Sequence, residues 1–394
     1  MTIFGRLRYD GALLLAIPSS VCNQSKARIL LNSDHPPFIP SRRFPNGHCQ
    51  TIGAFLMPGR MPQYKAVKRT VDLPDGDRLV IHDDQPERWI TGDRIAIMLH
   101  GLCGCHGSPY IRRAAQKLRR LGVRVIRVDM RGFGDSELIS RSHLHGGCSP
   151  DLQSVVAFVQ KLSPLSKISL VGFSLGGNVV LKALGEWGNL VPPEIDSAIA
   201  VSPPVDLIHC SWNLRQGGNR IYEKYFMRRL RIRLARRRRL VKDLADSGVT
   251  PMPDRLVHYD DQFVAPVFGF NGARDYYETC SAGPVLQHIH VPTIILSAKD
   301  DPVVPNEMYD RFPMSAFIDR VTTDHGGHLG FIGTTPKTKG RQNRFSKQPI
   351  EKDLDPYWMD WRICQWVTAI DEACYQHAEL QERIKKRIRE RRYA

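Results

Sequence analysis

The run Ile168-Ser-Leu-Val171 ends in Gly172-Phe-Ser-Leu-Gly176, and that junction leaves the chain little conformational choice. A G-x-S-x-G placed directly after an apolar run is a strand turning sharply into a helix, with the serine at the tip of the turn. Glycines flank the serine because such a turn crowds the backbone, and a Cβ at either position would clash.

The surrounding sequence repeats the same alternation from about residue 66 onward. Val67–Val71 and Arg78–His82 flank Pro74-Asp-Gly-Asp77 and predict an antiparallel hairpin. Further strands are predicted at Arg94–Leu99, Val123–Asp129, Lys167–Phe173, Ser197–Val201, Pro292–Ser297 and Arg320–Thr323. Helices are predicted over Pro109–Leu121 and Asp151–Leu162, from Gly176 to about Trp187, and over Asp355–His377. Continuous apolar strands separated by helices imply an α/β fold, a mostly parallel sheet covered by helices on both faces. The interruption at about residues 204–291 is too long for a structureless loop and reads as a helical cap insertion between two strands. Within it Phe226, Leu230 and Leu234 recur at helical spacing, opposite an arginine-rich face.

A serine at such a turn becomes a nucleophile when a base takes its proton, and the order expected for this kind of sheet is serine, acid, histidine. The acid belongs at the end of a late strand. Ala298-Lys-Asp-Asp-Pro-Val-Val-Pro305 follows Pro292–Ser297, and Asp301 is the first choice because a D-P-x-x-P turn holds its carboxylate at the sheet edge. Asp300 stays open as the alternative. The base belongs on the loop after the next strand, where Asp324-His-Gly-Gly-His-Leu-Gly330 offers two histidines. His328 is preferred over His325 because flanking glycines let the backbone bring its imidazole onto the serine. An oxyanion hole needs two backbone N–H groups. Leu175, directly after Ser174, and Leu102, in the loop His100-Gly-Leu-Cys-Gly104, are the expected donors.

With these elements in order, the chain resembles the α/β-hydrolases, in particular a YheT-like branch of esterases related to mammalian α/β-hydrolase-domain lipases. The resemblance is carried by His35-Pro-Pro-Phe38, Asn46-Gly-His-Cys-Gln-Thr51, His100-Gly-Leu102, Arg131-Gly132, Gly172-Phe-Ser-Leu-Gly-Gly-Asn178, Asp300-Asp-Pro302 and His325-Gly-Gly-His-Leu-Gly-Phe331. Tyr259-Asp-Asp261 and Tyr276-Tyr277 in the insertion match as well, so it covers about residues 35–378. It implies Ser174, Asp301 and His328 as a catalytic triad cleaving carboxylic esters, from short-chain acyl esters to acylglycerols and other lipids, through an acyl-enzyme. No metal or organic cofactor is expected. A lipid-surface phospholipase or an acyltransferase would use the same residues, and a catalytically silent binding module is the reading from another class. The oxyanion loop departs from the branch in reading Leu-Cys-Gly-Cys, which is expected to alter the acyl pocket.

Charge locates the rest. Of the net +16, fourteen charges come from residues 227–242 and 381–394, so the body between is close to neutral. Residues 228–242 fit a solvated lid helix, a lid resting on anionic lipid headgroups, or a nucleic-acid contact. The last has no recognised motif and limited aromatic interleaving, so nucleic acid is not the expected partner; the solvated lid is the first reading, and a peripheral contact with anionic membrane through this helix is the alternative. Nine cysteines without a C-x-x-C argue against a disulfide framework or a structural zinc, and point to a reducing, cytoplasmic setting. Gly11–Ile17 is a short apolar run behind Arg6 and Arg8, yet Pro18-Ser-Ser-Val-Cys22 offers no clear cleavage site. Residues 1–34 are therefore expected to be a poorly ordered leader, and 379–394 a basic tail.

Overall fold

In the computed structural model of the chain, residues 36–59, 66–142, 145–240, 253–334 and 355–370 are described. The expected leader and basic tail lie outside them, as do residues 241 and 242 of the basic run.

The chain forms one eight-stranded sheet in the order β1-β2-β4-β3-β5-β6-β7-β8. The hairpin β1 (Val67–Asp72) and β2 (Arg78–Asp84) is antiparallel, and β2 pairs antiparallel with β4 (Arg124–Asp129). From there β3 (Ile95–Leu99), β5 (Ile168–Phe173), β6 (Ile195–Val201), β7 (Thr293–Ala298) and β8 (Ile318–Thr323) run parallel. β3, β4, β5, β6 and β7 are buried along their whole length and are mostly apolar, the charges they carry being paired inside, as Arg124 and Arg127 of β4 are with Asp83 and Asp84 of β2. The edge strand β8 is only half-buried and accordingly reads Ile-Asp-Arg-Val-Thr-Thr.

Alternate residues of each central strand feed opposite cores. In β3, Ile95, Ile97 and Leu99 face one side, while Ala96 and Met98 face the other. α1 (Gly47–Leu56) precedes the hairpin, and α2 (Pro109–Arg120) packs with the second set. α3 (Ser149–Leu162) and α4 (Leu175–Trp187) pack with the first set. The insertion between β6 and β7 is helical: α5 (Leu207–Asn213), α6 (Arg220–Leu240), short helical turns over 256–267, and α7 (Ala273–Cys280). The final helix, α8, begins at residue 358 and covers the second face with Trp358, Ile363, Trp366 and Val367. Asp360 fixes it to α2, accepting from Arg113 Nε at 2.8 Å and Lys117 Nζ at 3.0 Å. No helix among the described residues is long and apolar enough to cross a membrane.

Candidate active site

The strands deliver their loops to one edge, the carboxyl end of the parallel sheet, where open α/β sheets place their sites. Leu102 follows β3, Ser174 follows β5, Asp301 follows β7 and His328 follows β8. Four segments far apart in sequence therefore meet at one place.

Ser174 sits at φ 50° and ψ −123°, a conformation that L-residues seldom adopt. Three backbone hydrogen bonds hold it there: its N–H donates to Val201 O at 2.8 Å, while its carbonyl accepts from Gly177 N at 2.8 Å and Asn178 N at 3.1 Å. The flanking glycines are required for contact. A Cβ at Gly172 would come within 2.4 Å of Gly176 O, and one at Gly176 within 2.5 Å of His100 O.

His328 Nε2 lies 2.9 Å from Ser174 Oγ, and its Nδ1 lies 2.9 Å from Asp301 Oδ2. With the Nδ1–H donated to the carboxylate, Nε2 presents the lone pair that accepts the serine hydroxyl. The other oxygen of Asp301 accepts from Val303 N at 2.8 Å and Val304 N at 2.9 Å, so the D-P-V-V turn fixes the carboxylate. The two alternatives left open by the sequence pair with each other instead. His325 Nδ1 lies 3.2 Å from Asp300 Oδ2, and neither reaches Ser174. Asp300 Oδ1 accepts from Gly327 N at 2.9 Å, which braces the histidine loop from outside.

Leu102 and Leu175 both line the cavity beside Ser174. Leu175 is the first residue of α4, where an N–H has no intrahelical acceptor. His100 secures the loop that carries Leu102. It is fully buried, its Nδ1–H donates to Gly101 O at 2.8 Å, and its Nε2 accepts from Met130 N at 3.2 Å. Burial pushes its pKa down to about 4, so it stands as a neutral strut.

Sequence reasoning missed the part played by α1. Thr51 Oγ1 accepts from His328 N at 2.8 Å and donates to Gly47 O at 2.7 Å. Gln50, wholly buried, accepts from Ile332 N at 2.7 Å and donates to Ile332 O at 3.1 Å. The signal was present as Asn46, whose side chain caps α1 by accepting from Cys49 N at 3.0 Å, but the partners lie about 280 residues away. Asn178 does comparable work across the sheet, donating to Gly146 O at 2.9 Å and Cys280 O at 2.8 Å and accepting from Ala282 N at 2.9 Å.

The cavity above Ser174 encloses about 920 Å³ of empty space, counting the part open to solvent. Most of its wall is apolar. Phe226, Leu230 and Leu234 of α6 form one side, so the apolar stripe that sequence alone could aim at lipid is turned into the protein. Lys224, Arg228, Arg229 and Arg236 face outward. The two cysteines of the loop that carries Leu102, whose departure from the resembled branch was expected to alter the acyl pocket, are not among the residues lining the cavity. Cys103 packs under α6 with its thiol toward Phe226 O at 3.9 Å, and burial pushes its pKa up to about 12. Burial also raises that of Cys105. Polar groups on the wall include Asp260 and Arg233. Asp260 accepts from Tyr277 Oη at 2.6 Å, and burial pushes its pKa up to about 7.

Among the described residues, His82, His106, Asp129 and Asp135 form the one His/Cys/acid group that could hold a metal ion, its ligand atoms all within 4.8 Å of one another. The sequence had suggested no such set. Asp129 is its hub, accepting from His106 Nδ1 and His106 N at 2.6 Å, Asp135 N at 2.8 Å and His82 Nε2 at 3.2 Å. These bonds tie the turn after β4 to the loop that carries Leu102.

Residues 97–334 match a family model described as the alpha/beta hydrolase fold. YheT of Escherichia coli (strain K12) is 30% identical over 347 residues, covering 86% of this chain and 96% of that protein. Phospholipase ABHD3 of Homo sapiens is 25% identical over 81% of this chain and 80% of its own length. The monoacylglycerol lipase of Saccharomyces cerevisiae is 27% identical over 66% of this chain and 58% of its own length.

Proposed function

The chain belongs to the alpha/beta hydrolase fold family and is an esterase/lipase-type hydrolase, and on that footing we propose that it cleaves carboxylic esters through Ser174, His328 and Asp301. One observation carries the reading: the His328 ring bridges the serine hydroxyl and a buried carboxylate at 2.9 Å on either side.

In this reading His328 Nε2 takes the Ser174 proton as Oγ attacks the ester carbonyl. Asp301 holds the ring in the required tautomer and stabilises the imidazolium that forms. The N–H groups of Leu102 and Leu175 receive the developing oxyanion in a cavity where apolar walls strengthen each hydrogen bond. His328 then protonates the leaving alcohol, the acyl group remains on Ser174, and water attacks by the same route to release the acid. The apolar wall formed by α6 supports a medium or long acyl chain, with small-molecule esters and acylglycerols as the substrate classes. Transfer of the acyl group to another acceptor would use the same residues.

Replacing Ser174 with Ala removes the nucleophile and little volume. The expected result is a folded protein whose turnover of a chromogenic ester series, from acetyl to long acyl, falls by about 10⁴-fold or more and which no longer takes a fluorophosphonate label. Retained turnover in the purified variant would overturn the reading.

A further inference from the structure

Arg233 lies on the inner side of α6, on the wall of the cavity that holds Ser174. Its side chain is only 16% exposed, and its guanidinium stacks on the Phe133 ring at 3.9 Å from the centroid. Nε faces Glu137 Oε2 at 3.4 Å, a long contact for a charged pair. A second nitrogen of the group, Nη1, is buried and has no hydrogen-bond partner. A buried guanidinium N–H left without an acceptor is costly, and native interiors seldom keep one unless something else completes it. The group is not part of the mechanism above, because it touches neither the triad nor its braces. Its charge is nonetheless felt by the oxyanion loop, where it adds to the burial that keeps His100 uncharged and works against the burial that keeps the Cys103 thiol protonated.

We propose that Arg233 is a specificity-determining residue, and that the esters this site takes carry an anionic oxygen group, a carboxylate or a phosphate, which the Arg233 guanidinium binds inside the cavity. This rests on the serine-esterase reading and names the substrate class within it. The surroundings suit such a ligand. The guanidinium is planar, held flat by Phe133, and offers donors that match carboxylate and phosphate oxygens. Arg228, Arg229 and Arg236 face outward on the same helix and add positive potential that would draw an anion toward the opening. Asp260, the carboxyl on the same wall, is held toward its neutral form by burial, which limits repulsion.

The test compares matched ester pairs on the purified full chain. One pair is the p-nitrophenyl monoester of a dicarboxylic acid against the p-nitrophenyl alkanoate of equal length. The other is a monoacylglycerol against the same acyl chain on glycerol 3-phosphate. The wild type is expected to favour the anionic member of at least one pair by roughly 10- to 100-fold in kcat/KM, chiefly through KM, with the preference shrinking as salt rises. The pair that responds tells a carboxylate from a phosphate. Arg233→Gln is expected to abolish the preference and Arg233→Lys to keep part of it, with folding checked by thermal melting. A preference unchanged in Arg233→Gln, or no preference in the wild type for either pair, overturns the assignment. Fluorophosphonate labelling of Ser174 separates the two readings: labelling with no anionic preference removes only the role of Arg233, whereas absence of labelling removes the esterase reading too.

Discussion

Two histidine–aspartate pairs hang from the same two loops, and they differ in almost nothing that a sequence records. His328 and Asp301 meet at 2.9 Å with side chains 9% and 2% exposed, whereas His325 and Asp300 meet at 3.2 Å with side chains 46% and 21% exposed. The inner pair touches Ser174 and the outer pair does not. Gly326 and Gly327, at φ 150° and 56°, turn the loop between the histidines. Thr51 then accepts the N–H of His328 and holds it on the inner side. Which aspartate and which histidine reach the serine is a matter of direction and burial, with residue type only a precondition.

The hardest way to break the comparison is to neutralise the inner carboxylate. Asp301→Asn keeps the shape and removes the charge that orients the ring, so kcat on a chromogenic ester is expected to fall by roughly 10³- to 10⁴-fold. A loss below tenfold would make Asp300 the working acid.

Asp260 sharpens the contrast from another side, as a buried carboxyl with a tyrosine and no histidine. Its folded pKa of about 7 lies above the ordinary 3.8, because burial opposes the charge. The folded state therefore holds the proton longer than the unfolded state does. The stability it lends is complete below about pH 4 and is lost as pH rises toward about 7. Against Asp260→Asn, which cannot titrate, the wild-type unfolding free energy should decline across that window by on the order of a few kcal/mol, read from denaturant melts. A pH-independent difference between the two would show that the group stays charged throughout.

Smaller effects separate the brace from the chemistry. Thr51→Val removes the acceptor for His328 N, and kcat is expected to drop by roughly 3- to 10-fold with the melting temperature little changed. A fall in melting temperature with an unaltered kcat would make Thr51 a purely structural contact. Smallest of all, His325→Gln should stay within about threefold of the wild type, since an exposed ion pair contributes little. A large loss there would erase the distinction between the two pairs.

Much of this architecture is legible in the chain itself. The predicted hairpin, the parallel strands and the serine turn all have their counterparts in the structure, with ends shifted by one or two residues. β6, for instance, begins at Ile195 rather than Ser197, and α3 at Ser149 rather than Asp151. Period-two and period-3.6 patterns report burial directly, because each element has a side that water cannot reach. The bracing helix α1 was not legible, since Gln50 acts on Ile332, a contact that no local pattern encodes.

By itself, then, the sequence determined the order of the strands' loops and the residue types they carry: a strained serine, an aspartate pair, a glycine-rich loop with two histidines. Those are local properties, set by backbone strain and by what each strand must bury. Only the tertiary structure decided which aspartate and which histidine face the serine, that α6 turns Phe226, Leu230 and Leu234 toward the cavity, and that Arg233 goes with them. An amphipathic helix satisfies the same pattern whether its apolar side meets lipid or protein, and an aspartate pair is symmetric until a turn fixes one of its members. Each choice is made by packing between segments distant in sequence, where the partner and not the pattern sets the direction.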